Sequence, residues 1–297
     1  MERLHAVSDF AAPEAETVSS AANRAARMER VPAIVAAILA GMMAIFFVLP
    51  FVALIWRALT LEGSVAATDL SVGPAVMLSL GTTAVAVMLI VLFGTPLAYF
   101  MARHQFPLKR LLTVFIELPI VMPPVVAGLA LLSAFGRRGL IGSTLAGLGV
   151  SVTFTATAVI LAQVFVSSPF YIRAAQARFE SLPREYEDAA AVDGANRWKI
   201  FWLVMLPQSA RALSAGLILS WARALGEFGA TILFAGNLQG RTQTMPLLVY
   251  SALERDLHVT FVTAIILLGL AALAFTLTRW LTAGITRDEE DAATFLN

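Results

Sequence analysis

The chain of 297 residues is 59% hydrophobic and 14% charged, with a net charge of +1 and no cysteine. Soluble domains run nearer about 45–50% apolar and 25% charged, so this composition places the chain in a bilayer as an all-α polytopic membrane protein. It excludes a disulfide framework and a thiolate metal site, and no basic patch with interleaved aromatics points to nucleic acid. His5, His104 and His258 fall in separate hydrophilic segments without paired spacing, so no histidine metal site is expected.

Residues 1–32 read as a polar, Ala-rich cytosolic tail, disordered by composition and without the short apolar core of a signal peptide. A surface-lying helix held by Arg24, Arg27 and Arg30 is the alternative. Residues 33–282 form the transmembrane domain, with six spans at about 33–56, 76–101, 112–135, 152–174, 212–236 and 259–282, each about the length of 20 residues that a helix needs. Residues 283–297 are a second cytosolic tail, too short to fold alone, with an acidic run at Asp288–Asp291 read as a solvated end. Lys and Arg set the orientation. With the N-terminus inside, the cytosolic segments hold fifteen: Arg3, Arg24, Arg27, Arg30, Arg103, Lys109, Arg110, Arg173, Arg178, Arg184, Arg197, Lys199, Arg211, Arg279 and Arg287. The outer loops hold five, Arg57, Arg137, Arg138, Arg241 and Arg255, and Arg223 lies inside a span. Both termini are therefore expected inside.

The third span carries Pro119, Pro123 and Pro124, which remove backbone donors and clash with the preceding turn. Two outcomes fit: a packing kink, or a broken helix lining a watery path, the setting in which non-helical backbone is tolerated at membrane depth. Intramembrane charges are costly and normally face the bundle interior. Glu117 sits early in the third span. Arg223 and Glu227 in the fifth share one helix face four residues apart and can neutralise each other. The sharper reading makes Arg223, the one cation inside a span, part of an anion path.

The loop between the fourth and fifth spans, "PREYEDAAAVDGANRWKIFWLVMLP" (183–207), departs from its apolar surroundings. Pro183 suits a first helical turn, and Glu185, Glu187 and Asp188 put negative charge at the positive helix end. Helical rotation brings Glu187, Ala190, Ala191 and Gly194 to one face, an acid followed by almost no side chain, which lets another protein approach the backbone. Gly194 fits the helix stop and Asn196 a cap for the next helix. Trp198 and Trp202 follow one turn apart at interface depth beside Arg197 and Lys199, and Pro207 marks the return to the membrane.

The order E-x-A-A, then Gly194, then Val204-Met205-Leu206-Pro207 resembles the EAA signature of ABC importer permeases. Glu187 lies one place earlier than in the generic pattern, with Asp188 in the usual slot, and valine replaces the commoner isoleucine near the end. "LPIVMPPVVAGLALL" (118–132), "ARALGEFGATILFAGN" (222–237) and "GRTQTMPLLVYSALE" (240–254) narrow the resemblance to molybdate/tungstate-type permeases. The resemblance covers roughly residues 70–282. Sulfate permeases share "ALGE" and the paired prolines, so a sulfate or tungstate importer is the alternative to molybdate.

The resemblance implies a multi-pass protein of a bacterial or archaeal cytoplasmic membrane that pairs with a second copy of itself. Two cytosolic ABC ATPase subunits would lie below and a periplasmic or lipid-anchored oxyanion-binding protein above. Glu187, Asp188, Ala189, Ala190, Ala191 and Gly194 would form the ATPase-coupling helix, with Trp198, Trp202 and Pro207 anchoring its elbow. Pro119, Pro123, Pro124, Arg223, Glu227 and Thr231 are the residues proposed for the path or gate. No cofactor is expected on this chain, since ATP and Mg would belong to the partner ATPase. A phosphate-cradling G-x-x-x-x-G-K-[ST] loop needs a Gly-Lys pair, and the two lysines, Lys109 and Lys199, follow Leu108 and Trp198. The chain is thus not expected to be an enzyme. A self-sufficient secondary transporter would call for two matching broken segments in repeated halves, and the sequence offers no such duplicate.

Overall fold

The computed structural model describes residues 35–61, 72–273 and 275–276. Both predicted tails, the Asp288–Asp291 run and the end of the sixth predicted span lie outside the described residues. Among those residues every regular element is a helix. The chain divides into two units, Met1–Leu61 and Glu62–Asn297.

The described part of the first unit is one helix, α1 (Val35–Thr60), 26 residues with a mean hydropathy of 2.7 and no buried residue in its apolar window. At about 1.5 Å per residue it exceeds the roughly 30 Å hydrocarbon thickness. A helix apolar on all sides belongs in a bilayer or a protein core.

The second unit is built on α2 (Val72–Arg103) and α6 (Ala156–Ser181), which pack along their lengths. Small residues set that contact. A Cβ on Gly94 of α2 would stand 3.1 Å from Ile172 Cγ1 of α6. Polar cross-links add to it: Gln163 Nε2 donates to Thr83 Oγ1 at 3.2 Å, and the Thr95 and Tyr171 hydroxyls share a 2.7 Å hydrogen bond. Such close approach and interhelical hydrogen bonding are how helices associate where lipid removes the hydrophobic drive. Helix α9 (Ala210–Leu225) lies against both, with Gly216 so close to α6 that an added Cβ would fall 2.8 Å from Ala174 Cβ.

The third predicted span is a broken helix. Helix α3 (Lys109–Val121) stops at Met122, which is extended, and α4 (Pro124–Phe135) begins after Pro123. Pro119 is buried inside α3, one turn before the break. The fifth predicted span also differs from expectation. It is not one run over 212–236: α9 ends at Leu225, Gly226 to Phe228 leave the helix, and α10 (Gly229–Phe234) restarts it. At its other end α9 meets α8 (Arg197–Gln208) at a bend of 72°. Among the described residues three helices, α1, α2 and α6, are long and apolar enough to cross a membrane, and the bent α8–α9 pair gives a fourth.

The remaining elements are short. Helix α5 (Gly142–Gly147) follows α4, and α7 (Glu185–Val192) precedes α8. Helix α11 (Met245–Leu253) and α12 (Leu257–Leu273) close the described chain. Met245 N of α11 donates to Ser79 Oγ of α2 at 2.7 Å, and Ala75, Met245 and Leu248 form a small core with Ile266 and Leu270 against it.

Candidate functional site

Two places gather the residues that the sequence singles out: the elbow made by α7 and α8, and the paired breaks where α4 and α10 begin.

At the elbow, Arg184 precedes α7 and its carbonyl accepts from Glu187 N and Asp188 N at 2.9 and 3.0 Å. The first turn carries Glu185, Glu187 and Asp188, the placement that the helix dipole favours. The helix ends as expected at Gly194. Its φ of +85° suits a residue without a Cβ, and Gly194 N donates to Ala191 O while Ala195 N donates to Ala190 O at 3.0 and 2.9 Å. Those two bonds are a Schellman stop. Asn196 then caps α8, its Oδ1 accepting from Lys199 N at 2.9 Å. A cap of this kind is worth about 1 kcal/mol.

Helix α8 carries a π-helical stretch, Phe201–Met205, with Pro207 in its last turn just before the bend at Ser209. Trp198 and Trp202 stack edge to face with ring centroids 5.6 Å apart, and both indoles are exposed. Ile200 and Met205 turn the other way into the core with Phe179 and Tyr171 of α6.

Of the four residues expected together on one outward face, Ala191 and Gly194 are exposed, whereas Glu187 and Ala190 are half-buried. Glu187 turns inward: Arg103 Nε at the end of α2 pairs with its Oε1 at 2.5 Å, and Tyr99 Oη donates to its Oε2 at 3.3 Å. The two charged side chains are 9% and 23% exposed, so the pair is shielded from most of the solvent. Ala190 packs against the core beside Ala195. Exposed together with Ala191 and Gly194 are Glu185, Tyr186, Asp188, Ala189 and Val192. The reason is register. Residues 187 and 190 share a side with the α2 terminus, and Arg103 offers a full charge there. Arg103 also donates from Nη2 to Leu182 O at 3.1 Å, so one guanidinium ties the end of α2 to both ends of the 182–187 turn.

At the breaks, α4 and α10 start together and run in the same direction. A Cβ on Gly229 would lie 2.4 Å from Pro124 Cβ, and one on Gly128 would lie 2.9 Å from Leu233 Cβ and 3.0 Å from Ala230 O. Farther along, the Phe135 and Phe234 rings stand 6.3 Å apart. Glu227 is fully buried and bridges the gap in the fifth span. Its Oε1 accepts from Ala230 N at 2.7 Å, which caps the restarted helix, while Oε2 pairs with Arg223 Nη2 at 2.8 Å. The predicted mutual neutralisation is therefore present, and it spans the break. Thr231 is buried in α10, and its hydroxyl has no hydrogen-bond partner among the described residues. Pro123 and Pro124 border the first break, and buried Pro119 sits on the α3 side.

Two ion-pair partners are not legible in the sequence, where Arg103 and Arg173 read only as charges of the inner side. Helix α6 runs on to Ser181, and Arg173 Nε pairs with Glu117 Oε1 of α3 at 2.8 Å. Arg223 is therefore not the one cation within a long apolar helix. No group of three or more His, Cys, Asp or Glu side chains able to hold a metal occurs among the described residues.

Residues 94–287 match the family model described as "Binding-protein-dependent transport system inner membrane component". The chain is 41% identical over 194 residues to a "Probable transport system permease protein NifC" of Clostridium pasteurianum, covering 65% of this chain and 68% of that one. It is 42% identical over 206 residues to a "Molybdenum transport system permease protein ModB" of Mycobacterium bovis, covering 67% and 78%. A "Sulfate transport system permease protein CysW" of Synechococcus elongatus is 39% identical over 201 residues, covering 68% and 70%. Among solved structures, a bacterial ABC transporter involved in the import of the acidic polysaccharide alginate aligns with a TM-score of 0.69 at 14% identity, covering 87% of this chain and 97% of that one. At that identity the likeness is one of fold.

Proposed function

The chain belongs to the inner membrane components of binding-protein-dependent transport systems, the permeases of ABC importers, and on that premise we propose that it carries a tetrahedral oxyanion inward, molybdate ahead of sulfate or tungstate. It works as one of two copies, each with six spans: α1, α2, α3–α4, α6, α9–α10 and the sixth predicted span, whose described part is α12. The carrying observation is the α7–α8 elbow, a short exposed helix with an ordered stop that is tied to the end of α2 through Arg103 and Glu187.

The mechanism follows from that tie. A separate cytosolic ATPase pair binds ATP with Mg and closes, and each α7 is displaced as a unit because its Schellman stop closes its C-terminal end while Arg103 holds the 182–187 turn at its start. The load passes by two routes. One runs through α8 and its 72° bend into α9. The other runs through Glu187 and Arg103 into α2, which packs along α6. Both routes reach the α4/α10 breaks, because α9 leads directly into α10 and α6 packs against both. There Arg223 and Thr231, beside the prolines of the third span, are the proposed contacts for the anion. A paired guanidinium and hydroxyl groups bind an oxyanion without holding it, as conduction requires. The anion arrives from a binding protein outside the membrane. The high sequence likeness to molybdenum permeases supports molybdate, and the sulfate relative keeps sulfate as the second reading.

Two experiments test the proposal. ATP-driven uptake by the reconstituted permease and ATPase should vanish in Gly194→Trp, which puts a large side chain at a positive φ on the coupling helix, while the spans still insert. Normal uptake by that variant refutes the docking role. Calorimetry of the partner binding protein should give tighter binding of molybdate than of sulfate; the reverse order transfers the assignment to sulfate.

A further inference from the structure

Beside the elbow lies a groove that the transport reading leaves without a role. Its walls are one face of α2, at Val91, Leu92, Thr95 and Tyr99, and one face of α8, at Trp198 and Trp202. These positions repeat every three to four residues, so two helical stripes face each other across a cavity of about 540 Å³. The lining is apolar apart from Thr95, Tyr99 and Arg197, and the Thr95 hydroxyl is already bonded to Tyr171 and to Val91 O. At one end the groove meets a second cavity of about 220 Å³, which shares Tyr99 and Arg197 with it and adds Arg103, His104, Arg184, Glu187 and Asp188.

The charges in that second cavity do not cancel. Arg103 is neutralised by Glu187. The other charged residues of its lining are Arg184 and Arg197 against Asp188, which leaves one positive charge. Arg197 has no carboxylate within ion-pair distance among the described residues, and Lys199 lies exposed two residues on. An apolar trough that ends in an unneutralised arginine, flanked by two exposed indoles, has the polarity of a phospholipid: chain below, anion at the interface.

We propose that the groove between α2 and α8 binds an anionic glycerophospholipid, with an acyl chain along Val91, Thr95 and Trp202 and its phosphodiester on Arg197. The occupant is a membrane lipid rather than a free anion because the larger cavity is apolar and opens alongside a membrane helix. It is anionic rather than zwitterionic because the cluster carries net positive charge. Such a lipid joins α2 to α8 at the height where the Arg103–Glu187 pair joins α2 to α7, so it is a second brace on the elbow. The inference rests on the reading of α2 as a span whose Arg103 end is cytosolic, and it does not depend on which anion is carried.

The test is lipid retention by the detergent-purified permease with its ATPase subunits, measured by native mass spectrometry after exposure to phosphatidylglycerol or phosphatidylcholine. One phosphatidylglycerol per permease chain is expected, with little phosphatidylcholine. Arg197→Gln should lower phosphatidylglycerol retention about tenfold, as loss of a charge-assisted contact predicts. Leu92→Trp, which fills the trough from an exposed position, should lower it as well. Equal retention of the two lipids, or unchanged retention in Arg197→Gln, overturns the proposal. So does protection from labelling of a cysteine placed at Trp202 in the lipid-free dimer, because the groove is then covered by a second copy. Oxyanion transport is not read in this assay, so its outcome and that of the transport tests are separable.

Discussion

The elbow and the paired breaks each depend on an arginine–glutamate pair, yet they are held in opposite ways. At the breaks, backbone packs on backbone: Gly229 touches Pro124, Gly128 touches Ala230, and Glu227 is 1% exposed at its side chain. At the elbow, α7 buries no residue at all and meets the rest of the chain through Glu187 and Ala190. The first arrangement resists displacement because any shift opens a void or a clash. The second can be moved whole, since little packing is lost when it moves. In the proposed mechanism the elbow is the handle that travels and the breaks are the gate whose two halves keep their fit.

The tight fit at the breaks should give the largest loss when it is disturbed. Gly229→Leu has no room, because even its Cβ meets Pro124, and it is expected to cost about 3 kcal/mol or more. Thermal denaturation of the purified permease reads this directly, and Gly147→Leu, which faces open space, should be near neutral beside it. Next, Glu227→Ala strands Arg223 and uncaps α10. Breaking a buried pair costs about 3–5 kcal/mol, and the low end applies here because Arg223 is 30% exposed. Glu227→Gln retains the cap on Ala230 and should recover part of the loss. If the two variants melt alike, the cap contributes nothing. The smallest effect belongs to the elbow, where Asn196→Ala should cost about 1 kcal/mol. Its consequence should show in uptake more than in melting, because it frees the join between α7 and α8.

Local chemistry carried much of this into the sequence. Gly194, Asn196 and the Trp198–Trp202 pair act within one or two turns of themselves, so their spacing is enough to place them. The spans at α1, α2 and α6 are legible for the same reason, as unbroken apolar runs. The break in the fifth span is not. "ALGEFGA" contains no proline and continues the apolar run, and what ends the helix there is a tertiary fit, Gly229 against Pro124 with Glu227 recapping. Nor is the inward turn of Glu187 legible. Its partner Tyr99 lies 88 residues away, and helical rotation alone gives a side without saying what faces it. The same holds for Glu117 and Arg173, whose pairing needs the α3–α6 contact.

In the proposed mechanism Glu187 transmits force by holding α7 to α2, and charge reversal separates that role from a contact with another chain. ATP-driven oxyanion uptake and ATP hydrolysis should be measured in proteoliposomes for Arg103→Glu, Glu187→Arg and the double reversal. Each single variant should lose uptake while the assembled complex still hydrolyses ATP, and the double reversal should restore uptake in part. If the double reversal is as inactive as either single change, Glu187 acts on another chain and the internal tie is not the route.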